Sequence, residues 1–361
     1  MDSASALTID RRQAAAYDRI TELIEAAQTI VVCAHTNPDG DALGSTLGMV
    51  DLISHCWPAK QVRGLLADTA PVPRIYSFLS GTTRLIHARD YKGSPDLFIS
   101  VDLSVSSRMA DGEAVLARSA HSVIIDHHPC DEPFADVSLI RSDAAAAGVL
   151  IAEYALYLNH PLSEAFSKSL LCAIITDTGR FQYQNTNAEA LFIAARLVEA
   201  GASPAEVSLN VYQSFQLEFL HLKAAVMGRI VTFAHGKIAY SYATAADIER
   251  TGASLDECDG LVDVVRSVAD SEVALFLKEV PGNLVRGNLR SKNSIDVSGV
   301  ARAFGGGGHK AAAGFTIEGD IDEALSEVLP KLRCLFSDDV AYGGTTSFPR
   351  IELASEGQVG Q

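Results

Sequence analysis

The chain has 361 residues, 48% of them hydrophobic and 20% charged, a length that suits two cores and a composition ordinary for globular proteins. Lys and Arg number 29 against 45 Asp and Glu, for a net charge of −16. That balance argues against a groove tracking a long phosphate backbone and favours a small or short substrate, held through metals and a few placed arginines. The longest apolar stretch, about 144–158, is broken by Glu153 and is too short to span a membrane. The opening MDSASALTIDRRQ lacks the apolar run of a signal peptide, and six scattered cysteines without a CxxC pair speak against a structural zinc or a disulfide framework. A cytoplasmic protein with no membrane partner is expected.

Residues 11–27 carry apolar positions at helical spacing. The run TIVVCAH, 29–35, has strand length and ends in the turn Asn37-Pro38-Asp39-Gly40, after which a helical pattern covers 42 to about 54. DLFISVD, 96–102, and SVIIDHH, 122–128, repeat the scheme, each a β-rich run ending in carboxylate or imidazole side chains. Helical patterns follow at 144–158 and 164–176. The alternation predicts an N-terminal α/β domain, a parallel sheet with helices on both faces, whose ligands bind beyond the carboxyl ends of the strands.

The character changes after about residue 211. A helical stretch at 216–227 leads to short strands in IVTFAH and KIAYSYAT, and SEVALFLKEV with LVRGNLRS forms a hairpin around Pro281-Gly282-Asn283. These residues predict a smaller C-terminal α/β domain. The expected division is a catalytic domain at 1–210, a linker at 211–227, a substrate-binding domain at 228–336 and a flexible tail at 337–361.

Polar residues gather at the ends of three predicted strands. HTNPDGDALGS places His35, Asp39 and Asp41 in one strand-exit turn; Asp102 closes the second strand; Asp126, His127 and His128 close the third; Asp177 follows a helical run in TDTGRF. Singly, each reads as a turn residue or a helix cap. Together, carboxylates converging with imidazoles would repel one another and call for a cation, and oxygen with neutral nitrogen ligands suits divalent metals. Six candidate ligands exceed what one catalytic ion with open positions needs, so two ions fit better than one.

In the second domain Gly305, Gly306, Gly307 and Gly308 give a backbone that a phosphate can approach closely, followed by His309, Lys310 and a small-residue run expected to pack as a tight helix. Arg290 at a strand end offers a bidentate fork for phosphate oxygens. The phosphate-loop pattern GxxxxGK[ST] is absent.

HTNPDGDALGS, VDLS, DHH and TDTGRF, in this order, resemble the four motifs of the DHH phosphoesterase superfamily, and GGGGHKAAAG resembles the signature of its DHH-associated C-terminal substrate domain. The resemblance covers roughly residues 15–335 and is greatest to the bifunctional oligoribonuclease and pAp phosphatase group. It implies two manganese ions per chain, with His35 and Asp39 on one, Asp41, His127 and Asp177 on the other, and Asp102 bridging them. It also implies His128 facing substrate, Asp126 orienting the histidines, and Arg290, Ser291, Gly307, Gly308 and His309 holding substrate phosphate, with Arg108 as a further phosphate contact. Asn288 stands where family members often carry serine.

The implied activity is hydrolysis of short oligoribonucleotides, and of pAp, by two-metal activation of a bridging water. Cyclic di-AMP or linear dinucleotides such as pApA are the alternative substrates, and a catalytically inactive nucleotide sensor the alternative class. The partner is a short RNA or nucleotide; a homodimer is left open.

Overall fold

The computed structural model describes residues 11–339, so the expected tail lies outside the described residues from 340 onward. The chain divides into two compact units, Met1–Ser214 and Phe215–Gln361.

The first unit is built on six strands: β1 (Thr29–Cys33), β2 (Gln61–Leu66), β3 (Ile86–His87), β4 (Leu97–Val101), β5 (His121–Asp126) and β6 (Val137–Ile140). All pairings are parallel and the order is β3-β2-β1-β4-β5-β6. Between β1 and β4 the winding reverses, and there the strand ends part to leave a crevice. The helices are α1 (Arg11–Ala26), α2 (Gly40–Cys56), α3 (Asp111–Leu116), α4 (Ala147–Tyr157), α5 (Glu164–Asp177), α6 (Ala188–Glu199) and α7 (Pro204–Tyr212).

Alternation along the strands explains both layers. Ile30, Val32, Leu97, Ile99, Val101, Val123 and Ile125 face one large core with Leu52 of α2, Val149 of α4 and Leu170 of α5. Val31, Cys33, Leu65 and Phe98 face the other way, onto Met109, just before the short α3, and Val115 within it.

The contact between α2 and α5 is unusually close because glycine recurs every fourth residue on α2. A Cβ on Gly40 would lie 2.4 Å from Thr176 Oγ1, one on Gly44 2.3 Å from the Ser169 carbonyl oxygen, and one on Gly48 2.5 Å from Leu170 Cδ2. Absent side chains let the two backbones approach, and that brings the start of α2, with Asp39 and Asp41, against the end of α5, with Asp177.

The second unit holds α8 (Leu217–Gly228), β7 (Val231–Phe233), β8 (Ile238–Ala243), α9 (Ala245–Thr251), α10 (Leu261–Arg266), β9 (Val273–Val280), β10 (Leu284–Ser291), α11 (Ser298–Arg302), β11 (Gly307–His309), β12 (Ala312–Glu318) and α12 (Ile321–Arg333). The strands form one mixed sheet, β11-β12-β10-β9-β8-β7, in which only β8 and β9 pair in parallel. One core joins the sheet to Ala324, Val328 and Leu332 of α12, the other to Phe219, Leu222 and Val226 of α8 and Val262 and Val265 of α10. The stretch 216–227, expected within a linker, is thus largely helix α8 and packs into this unit's core.

One expectation fails here. The small-residue run after Lys310 is not a helix but the start of β12. Ala313, Phe315 and Ile317 are buried at every second position, a period of two that the alanines obscure in the sequence. Glycine serves this sheet by close approach: a Cβ on Gly308 would stand 2.4 Å from the Ala312 carbonyl oxygen.

Candidate metal centre

Each motif reaches the crevice from a different element. His35 follows β1, Asp102 follows β4, Asp126 ends β5 with His127 and His128 just beyond it, and Asp177 ends α5. Asp39 caps α2, its Oδ1 accepting from the Asp41 and Ala42 amides at 3.0 Å. The capping role read for such a residue in isolation and its place in the cluster therefore coexist.

The side chains meet around Asp102, which is 2% exposed. Its Oδ2 lies 3.4 Å from His35 Nε2, and its Oδ1 3.3 Å from His127 Nε2 and 3.4 Å from His128 Nδ1. His127 Nε2 also stands 3.6 Å from Asp41 Oδ2 and 3.7 Å from Asp177 Oδ2. His35 Nε2 is 4.0 Å from Asp39 Oδ1. Ligand-capable atoms group within 4.8 Å as His35, Asp39 and Asp102, and as Asp41, His127 and Asp177. Asp102 holds a left-handed backbone, φ 54°, rare for a residue with a Cβ and found where surrounding structure enforces it.

The tautomers suit cation binding. His35 Nδ1 lies 2.8 Å from the Thr36 carbonyl oxygen and His127 Nδ1 3.3 Å from that of Ala144. A carbonyl can only accept, so each Nδ1 carries a proton, and in the neutral form each Nε2 presents its lone pair to the cluster. His128 differs: its Nδ1 donates to Asp126 Oδ1 at 2.8 Å, which puts Nε2 on the far side of the ring from Asp126.

Asp41 is held most tightly. Its carboxylate accepts from the Ala147 and Gly148 amides at 2.7 and 2.9 Å and from the Ser45 hydroxyl at 2.9 Å. Ala146 at the N-cap of α4 has no capping side chain, so the carboxylate of α2 performs that role from a distance.

The protonation balance points to added positive charge. Burial, and then the Asp102 charge, drive Asp41 well above the usual carboxylate range. Asp177 is pushed up to about 6, first by burial and then by Asp102 and Asp39. Burial alone would lower His35, but the Asp102 hydrogen bond and the Asp39 and Asp102 charges raise it to about 9. His127 is likewise raised, against its burial, by Asp177, Asp102 and Asp41. Burial opposes ionisation of Asp102, yet His127, His35 and His128 hold it well below its ordinary value. Protons thus stand in for cations, and Asp102 Oδ1 is buried without a hydrogen-bond donor. The residues fit divalent metal ions.

Arg108 lies in a short turn, Ser106–Arg108, whose carbonyl accepts from the Thr36 amide at 3.0 Å, and its charge acts on His35. In the second unit Arg290 and His309 both sit directly opposite Ala312, on β10 and β11 either side of β12. Opposed residues share a sheet face, so the guanidinium and imidazole flank one small methyl group. Gly307 and Gly308 are exposed in β11, whereas Ser291 is buried with its amide donating to the Ala311 carbonyl at 2.8 Å.

The sequence reading missed the groups that hold these side chains. They are Ser45, the Ala147 and Gly148 amides, the Thr36 and Ala144 carbonyls, Asn185, and Tyr76, whose buried hydroxyl receives the Gly40 amide beside Asp39. Backbone groups leave no residue-type signal. Ser45 alone was findable, one helical turn after Asp41.

Residues 29–176 match the DHH family, N-terminal domain, and residues 235–333 match the DHHA1 domain. Over 317 residues the chain is 28% identical to the bifunctional oligoribonuclease and PAP phosphatase NrnA of Thermus thermophilus, covering 87% of this chain and 92% of that protein. It is 27% identical over 305 residues to the protein of the same name from Bacillus subtilis, covering 82% and 93%. An exopolyphosphatase-related protein from Bacteroides fragilis shares the fold, with a TM-score of 0.82 at 23% identity over 90% of this chain and 98% of that one. The chain therefore carries a DHH-family N-terminal domain followed by a DHHA1 domain.

Proposed function

We propose that this protein is a manganese-dependent phosphoesterase that hydrolyses short oligoribonucleotides and removes the 3′-phosphate of pAp, using two cations per chain. The observation that carries the reading is the pair of imidazoles, His35 and His127, each fixed through Nδ1 on a backbone carbonyl and each turning Nε2 toward one shared carboxylate, Asp102. The substrate class rests on the curated relatives named as oligoribonucleases and PAP phosphatases, matched over most of their length.

In this reading His35 and Asp39 would hold one ion and Asp41, His127 and Asp177 the other, with Asp102 contributing to the sites. Bound there, such ions would supply Lewis acidity to activate water and to offset charge on the phosphoryl oxygens. His128, oriented by Asp126, presents Nε2 to the phosphoryl group and stabilises developing charge. Arg108 on the first unit, and Arg290 and His309 with the exposed Gly307–Gly308 backbone on the second, contact substrate phosphates. Ser291 supports the end of β10 beside Arg290. Among the described residues no helix is long and apolar enough to cross a membrane. A cytoplasmic setting, where the cysteines stay as free thiols, belongs to the same proposal.

The test is turnover of pApA and pAp by the full chain, stripped with chelator and then supplied with manganese, magnesium or calcium. Manganese should restore both activities best. Undiminished turnover in excess chelator, or no turnover of either compound with any ion, overturns the proposal.

A further inference from the structure

Asn185 lies eight residues beyond Asp177, in a loop that its residue type alone would mark as an ordinary turn. Its Nδ2 stands 3.0 Å from the Ala145 carbonyl oxygen, 3.1 Å from the Asp177 carbonyl oxygen and 3.3 Å from Asp177 Oδ2. All three neighbours only accept, which fixes the amide's nitrogen on this side.

The chain goes to some length to bring it there. Gly179, Arg180 and Phe181 take left-handed conformations in succession, with φ of 54°, 64° and 62°. The Gln182 and Tyr183 amides then both donate to the Thr178 carbonyl at 3.0 Å, closing a reversal that returns the chain toward the end of α5. Left-handed residues with a Cβ persist where the surroundings enforce them, and here they place one side chain.

Ala145 is the second end of the bridge, and it lies in a segment that touches the other two ligands of the same group. The carbonyl before it, Ala144, anchors His127 Nδ1, and the amides after it, Ala147 and Gly148, hold the Asp41 carboxylate. The Asn185 amide thus ties Asp177 to the segment that fixes His127 and Asp41. Among the described residues the Asn185 amide hydrogen-bonds to Ala145 and Asp177, and not to His35 or Asp39.

Resting on the two-cation reading above, we infer that Asn185 is a positioning residue for one cation only, the one assigned to Asp41, His127 and Asp177. It sets the spacing of those three ligands and touches neither metal nor substrate. Because Asn185 is exposed, its replacement leaves no internal cavity, so the fold survives the change that loosens the ligands.

The experiment titrates metal-stripped full-length protein with manganese and follows free Mn²⁺ by electron paramagnetic resonance, for the native chain, Asn185→Ala and Asn185→Leu. Leucine matches asparagine in size, lacks donors and adds no charge. The expected result is two classes of bound ion in the native chain, with one class weakened roughly ten- to a hundredfold in both variants and the other unmoved. The metal-free thermal midpoint should stay that of the native chain. Native affinity for both classes in the variants overturns the inference. So does loss of both classes together with a lower metal-free midpoint, the signature of a general structural role. A native chain that binds no manganese overturns the two-cation reading itself, which separates the two failures.

Discussion

His127 Nε2 stands 3.3 Å from Asp102 Oδ1, and the same carboxylate reaches His35 Nε2 through Oδ2 at 3.4 Å. One carboxylate therefore addresses two imidazoles that arrive from different strands. Asp102 does so from a left-handed backbone, φ 54°, and from almost complete burial. The left-handed backbone opposes stability in the metal-free protein, whereas the imidazoles that hold the Asp102 carboxyl below its ordinary range offset its burial. Asp102→Gly relieves about 1 kcal/mol of backbone strain but leaves the raised His35 and His127 without their shared counter-charge, so the metal-free thermal midpoint at neutral pH should fall. Turnover with manganese should fall at least ~100-fold, because both ions lose a ligand. Calorimetry of the stripped protein together with initial rates checks the pair of outcomes; a variant that keeps the native midpoint and the native turnover contradicts them.

Metal binding should be pH-dependent in a definite direction. A protonated His35 or Asp177 cannot ligate, and in the metal-free fold these groups sit at about 9 and about 6. Manganese affinity should rise as pH increases from about 5 to about 9, with about one proton released per ion near neutrality. Isothermal titration in two buffers of different ionisation enthalpy measures the release. Affinity independent of pH, with no proton release, contradicts the assignment of these residues.

The second unit should control substrate binding through Arg290. Arg290→Ala removes a charge-assisted contact and should raise KM about tenfold, with smaller loss in Arg290→Lys, which keeps charge but loses the fork. Manganese affinity should not move. An unchanged KM for pAp and pApA would remove Arg290 from the substrate contacts.

Asp247 contributes to the acid stability of the second unit. It is 5% exposed, caps α9 within a Thr244 capping box and pairs with both Arg229 and Arg250. Burial opposes its charge, but Arg229, the Thr244 amide and hydroxyl, and Arg250 hold the carboxyl below its ordinary value. The depressed value means the stabilisation is complete above the unfolded carboxyl's ~3.9 and is lost as pH falls through the folded value. Asp247→Asn should lower stability at pH 7 by about 2 kcal/mol and flatten the acid limb of denaturant midpoint against pH.

Much of the architecture was legible because β1, β4 and β5 are β-branched runs that end abruptly in His or Asp, and those chain ends meet in the crevice. Helix α2 begins two residues earlier than the pattern suggests, since Gly40 carries no apolar signal and Asp39 acts as its cap. Strands β2, β3 and β6 escaped notice: QVRGLL mixes charge with a glycine, and β3 and β6 are only 2 and 4 residues long. The alternation of β12 hid beneath alanines. Arg290 and His309 were each visible as candidates, yet their common row depends on the register against Ala312, which no single segment encodes. The partner groups of Asp41 and His127 are backbone amides and carbonyls, and Asn185 reaches Asp177 only through a left-handed reversal. Those relationships arise at the level of packing.

The proposed two-cation phosphoesterase activity on short substrates is tested by initial rates against RNA length. At a net charge of −16, nucleotides beyond those held by the few placed cations gain little affinity from the surface. With manganese at a fixed concentration and 5′-labelled RNAs from dimer to about 24-mer, kcat/KM should peak at roughly two to five nucleotides, depend weakly on salt, and vanish in chelator. A kcat/KM that holds or rises to the longest RNA with a steep salt slope, or that survives chelation, would contradict the account.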